Sequence, residues 1–127
     1  MKTLPTLREK KRYMAFEVMS EQPFARSDLS LEIFNSICSL FGDTGASEIN
    51  AALLSYDGKY GIIRCEREKT SDTRAALACI YRVRGSRVSI LVLGISGTVK
   101  GAMEKFIQQS IINGSEPDNA RRAIVRT

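Results

Sequence analysis

The chain has 127 residues, 43% hydrophobic and 26% charged, which is the make-up of one globular domain with an ordinary core rather than a disordered chain. Net charge is +5, and Lys2, Arg8, Lys10, Lys11 and Arg12 against Glu9 alone place +4 of it within residues 1–13. There is no histidine, which removes the commonest general base and any Ser-His or Cys-His nucleophile pair, and no apolar run approaches the ~20 residues needed to span a bilayer. Such local asymmetry points to a polyanion contact at one place, with RNA, DNA and a membrane surface all open at this stage. The start lacks the apolar stretch of a signal peptide, so a cytoplasmic protein is expected.

In chain order, Thr6 and Glu9 have the spacing of a capping box, which predicts a short helical turn over 7–12. A turn of that length is marginal alone and needs a partner surface. A strand follows at once, with Met14, Phe16 and Val18 on one face. After Pro23, Ser27-Asp28 offers a helix cap, and Ile33, Phe34, Ile37, Cys38 and Phe41 recur at helical spacing up to a stop at Gly42. Residues 49–54 alternate as a second strand, Asp57-Gly58 predicts a type I′ hairpin turn, and a third strand covers 60–65. Thr70-Ser71-Asp72 caps a second helix with Leu77, Ile80 and Tyr81 in its stripe, ended by Gly85. A fourth strand covers 88–95. Ser96-Gly97 then opens a third helix carrying Val99, Ala102, Met103, Phe106, Ile107 and Ile111, and a polar tail follows.

The order β-α-β-β-α-β predicts an α+β, ferredoxin-like sandwich: a four-stranded antiparallel sheet with two helices on one face. The fourth strand is apolar on both sides except for Ser89, so the second sheet face must also be covered, most simply by the third helix. The expected organisation is one domain over 1–127, with a basic arm (1–12) and a polar tail (114–127). Cys38, Cys65 and Cys79 are scattered, lack zinc-finger spacing and are expected as small buried hydrophobes.

Three functional classes suit a small basic domain of this kind. An RNA-recognition module needs stacking aromatics on the third strand, where this chain has Ile62 and Ile63. A phosphate-processing enzyme needs a Gly-rich cradle, which the 21–26 connection lacks. A structural RNA-binding subunit needs cations placed to grip phosphates. The arm supplies them, and Arg82, Arg84 and Arg87 around Gly85 form a second acid-free cluster. Glu66 and Glu68 beside Arg67 and Lys69 read as a solvated strand end. Residues 94–98 either bind a phosphate through free N–H groups or are an ordinary Ser-capped helix start. The apolar excess at Ile107, Ile111 and Ile112 serves either core packing or a partner. Arg64 is equally an RNA contact or a partner for Glu17.

The run Leu4-Pro5-Thr6-Leu7-Arg8-Glu9-Lys10-Lys11-Arg12-Tyr13 with Ala15-Phe16-Glu17 resembles the start of the archaeal ribonuclease P protein component 2 family, which is related to a eukaryotic subunit shared by RNase P and RNase MRP. Tyr60-Gly61-Ile62-Ile63-Arg64-Cys65 and Gly94-Ile95-Ser96-Gly97-Thr98 resemble two further stretches of that family, in order, and the short length suits its archaeal branch. The resemblance implies a ferredoxin-like subunit of the enzyme that removes the 5′ leader from precursor tRNA. In that family the RNA carries the active site and its Mg²⁺ ions, and the protein holds no cofactor. The implied partners are RNase P RNA, precursor tRNA, RNase P protein component 3 (commonly in a heterotetramer) and other RNase P proteins, with no membrane. The expected RNA contacts are Arg8, Lys10, Lys11, Arg12, Tyr13, Arg64, Arg84 and Arg87, with no catalytic or metal-binding residue. The other reading is a ferredoxin-like regulatory or ligand-binding module without nucleic acid.

Overall fold

The computed structural model describes residues 11–114. The arm through Lys10, with Arg8, and the tail from residue 115 lie outside the described residues. The elements are β1 (Lys11–Ser20), α1 (Arg26–Ile49), β2 (Ala52–Tyr56), β3 (Tyr60–Glu66), a 3₁₀ turn (Arg67–Lys69), α2 (Thr70–Ala78), β4 (Arg82–Val83) and β5 (Ser86–Ser96). A C-terminal helical stretch follows as α3 (Val99–Ala102), a π-turn (Met103–Ile107) and α4 (Gln108–Gly114). The sheet is antiparallel in the order β2-β3-β1-β5-β4. It is thus five-stranded, not four-stranded as expected. Among the described residues no helix is long and apolar enough to cross a membrane.

The extra strand corrects the reading of Gly85 as a helix stop. Helix α2 ends at Ala78, and Arg84 (φ 53) and Gly85 (φ 79) are both left-handed, the arrangement of a type I′ turn that joins β4 to β5. At Asp57-Gly58 the hairpin forms, but only Gly58 has positive φ among the turn residues. There the Asp57 carboxylate accepts the Lys59 and Tyr60 N–H groups at 2.9 and 2.8 Å, an Asx-type turn rather than type I′.

Two further boundaries move. Lys11 and Arg12 belong to β1 rather than to a helical turn, because Lys11 pairs with Glu66 and Arg12 with Cys65 across the ladder to β3. Gly42 (φ 74, ψ 179) kinks α1 instead of ending it, and a second limb runs on to Ile49, which is buried at 1% exposure. Asn50 in the left-handed conformation closes that limb, so β2 begins only at Ala52. At the other end, the Asp28 carboxylate accepts the Ala25 N–H at 3.1 Å.

The sheet is buried on both faces. Met14, Phe16, Val18, Ile63 and Cys65 pack against Leu29, Ile33 and Ile37 of α1 and Ala76 and Leu77 of α2. Ala15, Tyr60 and Ile62 pack on the opposite face beneath Ala102 and Ile107 of the C-terminal helical stretch. Strand β5 serves both layers by alternation, and a bulge resets which of its residues face each layer. The pairing shifts between Ala15↔Gly94 and Phe16↔Val92, so Ile90, Val92 and Ile95 all reach the first core while Leu93 reaches the second. The cover on the second face is partial, since Leu91 and Met19 are about half exposed.

The Phe106 ring lies on Gly94, where a Cβ would collide with it. Of the cysteines, Cys65 is buried, Cys38 intermediate and Cys79 exposed, which corrects the expectation of three buried thiols. Cys79 follows the last turn of α2, where the chain leaves the helix for the β4 hairpin.

Two outcomes follow from this packing. Gly94→Val is expected to cost roughly 1–3 kcal/mol in urea unfolding by overpacking, with Phe106→Ala recovering part of the loss. Burial also pushes the Cys65 thiol pKa up, so at neutral pH iodoacetamide should modify Cys79 first and Cys65 only in urea, as read by mass spectrometry.

Candidate nucleic-acid interface

At one end of the sheet, β1 opens with three side chains that the sequence marks as RNA contacts. Strand alternation and register put Tyr13 and Arg64 directly opposite one another, with Ser96 of β5 on the other side of Tyr13. Lys11 lies on the same face, opposite Glu66, while Arg12 alternates to the face of α1 and α2. Lys11, Arg12, Tyr13 and Arg64 are therefore brought together at the point where the basic segment 1–10 joins the fold.

Local interactions define what these groups can do. The Lys11 ammonium forms an ion pair with the Glu66 carboxylate, which also accepts from the Asn50 side chain at 3.4 Å. Arg12 donates to the Lys11 carbonyl at 2.8 Å. Glu66 is thus part of a bonded strand end, and nearby Lys69 pairs with Glu48 at 3.3 Å and Arg67 with Glu68 at 3.7 Å. Tyr13 is half-buried and packs its ring against the second core.

Arg64 is the strained member. Its Nε is buried, with no hydrogen-bond partner among the described residues. Leaving such a donor unsatisfied costs roughly 1–3 kcal/mol. Glu17, the alternative partner, lies opposite Tyr60 and ion-pairs with Lys59 at 3.6 Å instead. That removes the Glu17 reading of Arg64 and leaves a guanidinium on the rim of the sheet face.

Arg84 and Arg87 are not part of this group. Ser20 of β1 pairs with Val88, while Tyr13 pairs with Ser96, so the hairpin holding both arginines lies at the far end of the strand, roughly 23 Å away at ~3.3 Å per residue. The cluster is also not acid-free in three dimensions: Asp28 of α1 meets Arg84 at 3.5 Å. Tyr81, missed among the site candidates, stands there beside Arg82 of that cluster, the guanidinium 5.9 Å from the ring centroid. Helical spacing predicts Tyr81 in the stripe of the second helix, but that helix ends at Ala78. The left-handed pair Arg84-Gly85 shows that a hairpin, and not the helix, passes through this stretch.

The other candidates resolve similarly. Thr98, rather than Ser96, caps the C-terminal helical stretch, accepting the Gly101 N–H at 2.9 Å. That N–H is therefore already satisfied. Ile62 lies under the C-terminal helical stretch, so its face of β3 is not an open base-stacking platform. Ile107 is buried, whereas Ile111 and Ile112 are about half exposed. Among the described residues no group of Cys, Asp and Glu is arranged to hold a metal ion.

A small α+β protein with both sheet faces occupied, and with cations gathered where its central strand begins, is the class these features define. The chain belongs to the Rpp14/Pop5 family, whose sequence model matches residues 12–107. It is 49% identical over 105 residues to ribonuclease P protein component 2 of Methanosarcina mazei, covering 83% of this chain and 90% of that protein. It is 38% identical over 108 residues to the protein of that name from Methanocaldococcus jannaschii, covering 84% and 81%. The fold is also that of a chain in the cryo-EM structure of yeast ribonuclease MRP, with a TM-score of 0.60, 11% identity, and coverage of 85% and 93%.

Arg64→Met separates a binding role from a structural one. The substitution keeps most of the volume and removes the unsatisfied Nε, so the unfolding midpoint should hold or rise. RNA affinity at low salt, measured by filter binding, should fall. A large loss of stability with unchanged affinity would make Arg64 a structural residue.

Proposed function

We propose that this chain is an RNA-binding protein subunit of ribonuclease P, assisting a catalytic RNA in removing the 5′ leader from precursor tRNA. The observation that carries the reading is the placement of Lys11, Arg12, Tyr13 and Arg64 at the root of the basic segment 1–10, in a member of the Rpp14/Pop5 family. Relatives named ribonuclease P protein component 2 support it. The ferredoxin-like description suits the order β2-β3-β1-β5 of the four longer strands, with the β4 hairpin as an addition at the edge. The regulatory-module alternative has no comparable support.

In this reading the protein is non-catalytic and the RNA holds the active site with its Mg²⁺ ions. Phosphates crowded around a ribozyme core repel one another and compete for metal. Arg8 and Lys10, with Lys11, Arg12 and Arg64, would neutralise part of that charge and bias the RNA toward its active arrangement. Lys11 would contribute through a shared ion pair, since Glu66 already holds it. Tyr13, packed on the second core, would anchor the segment to the sheet. RNase P protein component 3, in a heterotetramer, and other RNase P proteins are the proposed protein partners. The cytoplasm is the proposed compartment.

Replacing Arg8, Lys10, Lys11 and Arg12 together by Ala in a reconstituted enzyme should raise the Mg²⁺ concentration needed for half-maximal cleavage. It should also flatten the log–log salt dependence of RNA binding by ~0.7–0.9 per lost phosphate contact. An unchanged Mg²⁺ requirement and an unchanged slope would refute the role assigned to this segment.

A further inference from the structure

The far end of the sheet carries a second set of groups that the basic segment does not explain. In the β4–β5 hairpin, Arg82 and Arg87 are directly opposite each other in the register. Like charges so placed repel unless an anion lies between them. Neither has an ion-pair partner among the described residues, whereas Arg84, between them in sequence, is held by Asp28. Arg82 is steadied by donating to the Gly85 carbonyl at 3.1 Å.

Next to this pair, Tyr81 is 69% exposed, with the Arg82 guanidinium 5.9 Å from its ring centroid. Tyr81 also lines a groove of about 420 Å³ between α1 and the hairpin. The α1 wall offers Asn35, Ser36 and Ser39. Of these, the Ser36 hydroxyl is already committed to the Ala76 carbonyl at 2.7 Å, which leaves the Asn35 amide and the Ser39 hydroxyl as the donors and acceptors of that wall. Charge in the groove is divided: Glu32 lines the α1 wall, while Arg82 and Arg84 line the hairpin wall, Arg84 being paired with Asp28. Negative charge is thus favoured on the hairpin side at Arg82 and Arg87 and disfavoured beside Glu32, where a neutral polar ring suits the α1 wall.

An aromatic face, a polar slot and a pair of guanidiniums with no ion-pair partner among the described residues match the three parts of a single nucleotide. We propose that this corner is a second RNA-contact site that takes one unpaired nucleotide, its base against Tyr81 at the groove and its phosphate at Arg82 and Arg87. A base still stacked in a duplex offers no free face to Tyr81, so the site selects single-stranded or bulged RNA. The inference rests on the reading of the chain as an RNA-binding subunit and adds the kind of RNA segment met at this end. With the two sites roughly 23 Å apart along β1, the protein would hold two RNA segments at a set separation.

The test uses the full chain and two synthetic RNAs, a blunt-ended hairpin closed by a compact tetraloop whose bases are stacked, and the same hairpin with a six-nucleotide single-stranded overhang. Wild-type protein should prefer the overhang. Tyr81→Ala should weaken overhang binding roughly five- to hundred-fold, the range of one base–aromatic stack, and leave hairpin binding unchanged, while Tyr81→Phe retains the preference. Arg82→Ala with Arg87→Ala should lower the log–log salt slope for the overhang RNA by ~0.7 per cation lost. Ultraviolet cross-linking should place an adduct on Tyr81. Equal overhang binding by wild type and Tyr81→Ala, with no adduct at Tyr81, would overturn the site while hairpin binding that depends on Lys11 and Arg12 leaves the broader reading standing. Equal losses in Tyr81→Ala and Tyr81→Phe would overturn stacking, and failure to bind either RNA would overturn both readings.

Discussion

Strand β1 hydrogen-bonds to β3 on one side and to β5 on the other, and Met14, Ala15 and Phe16 are all fully buried. A strand enclosed in this way must have apolar side chains on both faces and must meet a helical layer above and below. The first layer, α1 with α2, lies over Met14, Phe16 and Val18; the second, the C-terminal helical stretch, lies over Ala15. The second contact is geometrically tight. Ala15 has little height, and the neighbouring Gly94 has no side chain at all, so Phe106 can descend onto the sheet. The bulge opposite Ala15 and Phe16 breaks the alternation of β5, turning Ile95 back to the first core after Leu93 has served the second.

That enclosure decides where charge can be placed. With the middle of the sheet occupied on both faces, cations are confined to the ends and edges of the strands. Arg26 illustrates the edge: from the first turn of α1 it donates to the Leu53 and Leu54 carbonyls of the outermost strand β2, at 2.7 and 3.3 Å. The start of β1 gathers Lys11, Arg12 and Arg64, and the β4–β5 hairpin gathers Arg82 and Arg87. Arg64 is at this same end, its buried Nε without a hydrogen-bond partner among the described residues.

Much of the fold was legible because its signals are local. The two-residue period of Met14, Phe16 and Val18, the four-residue spacing of Ile33 and Ile37, and the doubly apolar character of β5 each report the burial of a single element. From these alone came the antiparallel sheet and the need for a third helix on its second face. The misreadings fall where two elements compete for the same residues. Gly42 carries a stop signal, yet tertiary packing of Ile49 continues the helix beyond it. Gly85 carries the same signal, but its neighbour Arg84 shares the positive φ that a hairpin requires. Cys79 looked apolar by its sequence neighbours and is exposed because α2 ends one residue before it.

By itself the sequence determined the class of fold, the basic segment at the start of the chain and the family resemblance, since composition, periodicity and short motifs are properties of neighbouring residues. Tertiary structure decided which charges act together. Lys11 and Glu66 are joined, Arg64 is set beside Tyr13 and away from Glu17, and Arg84 is claimed by Asp28 while Arg82 and Arg87 face one another. Strand register and helix placement set those pairings, and a one-residue slip in either would reassign every one of them.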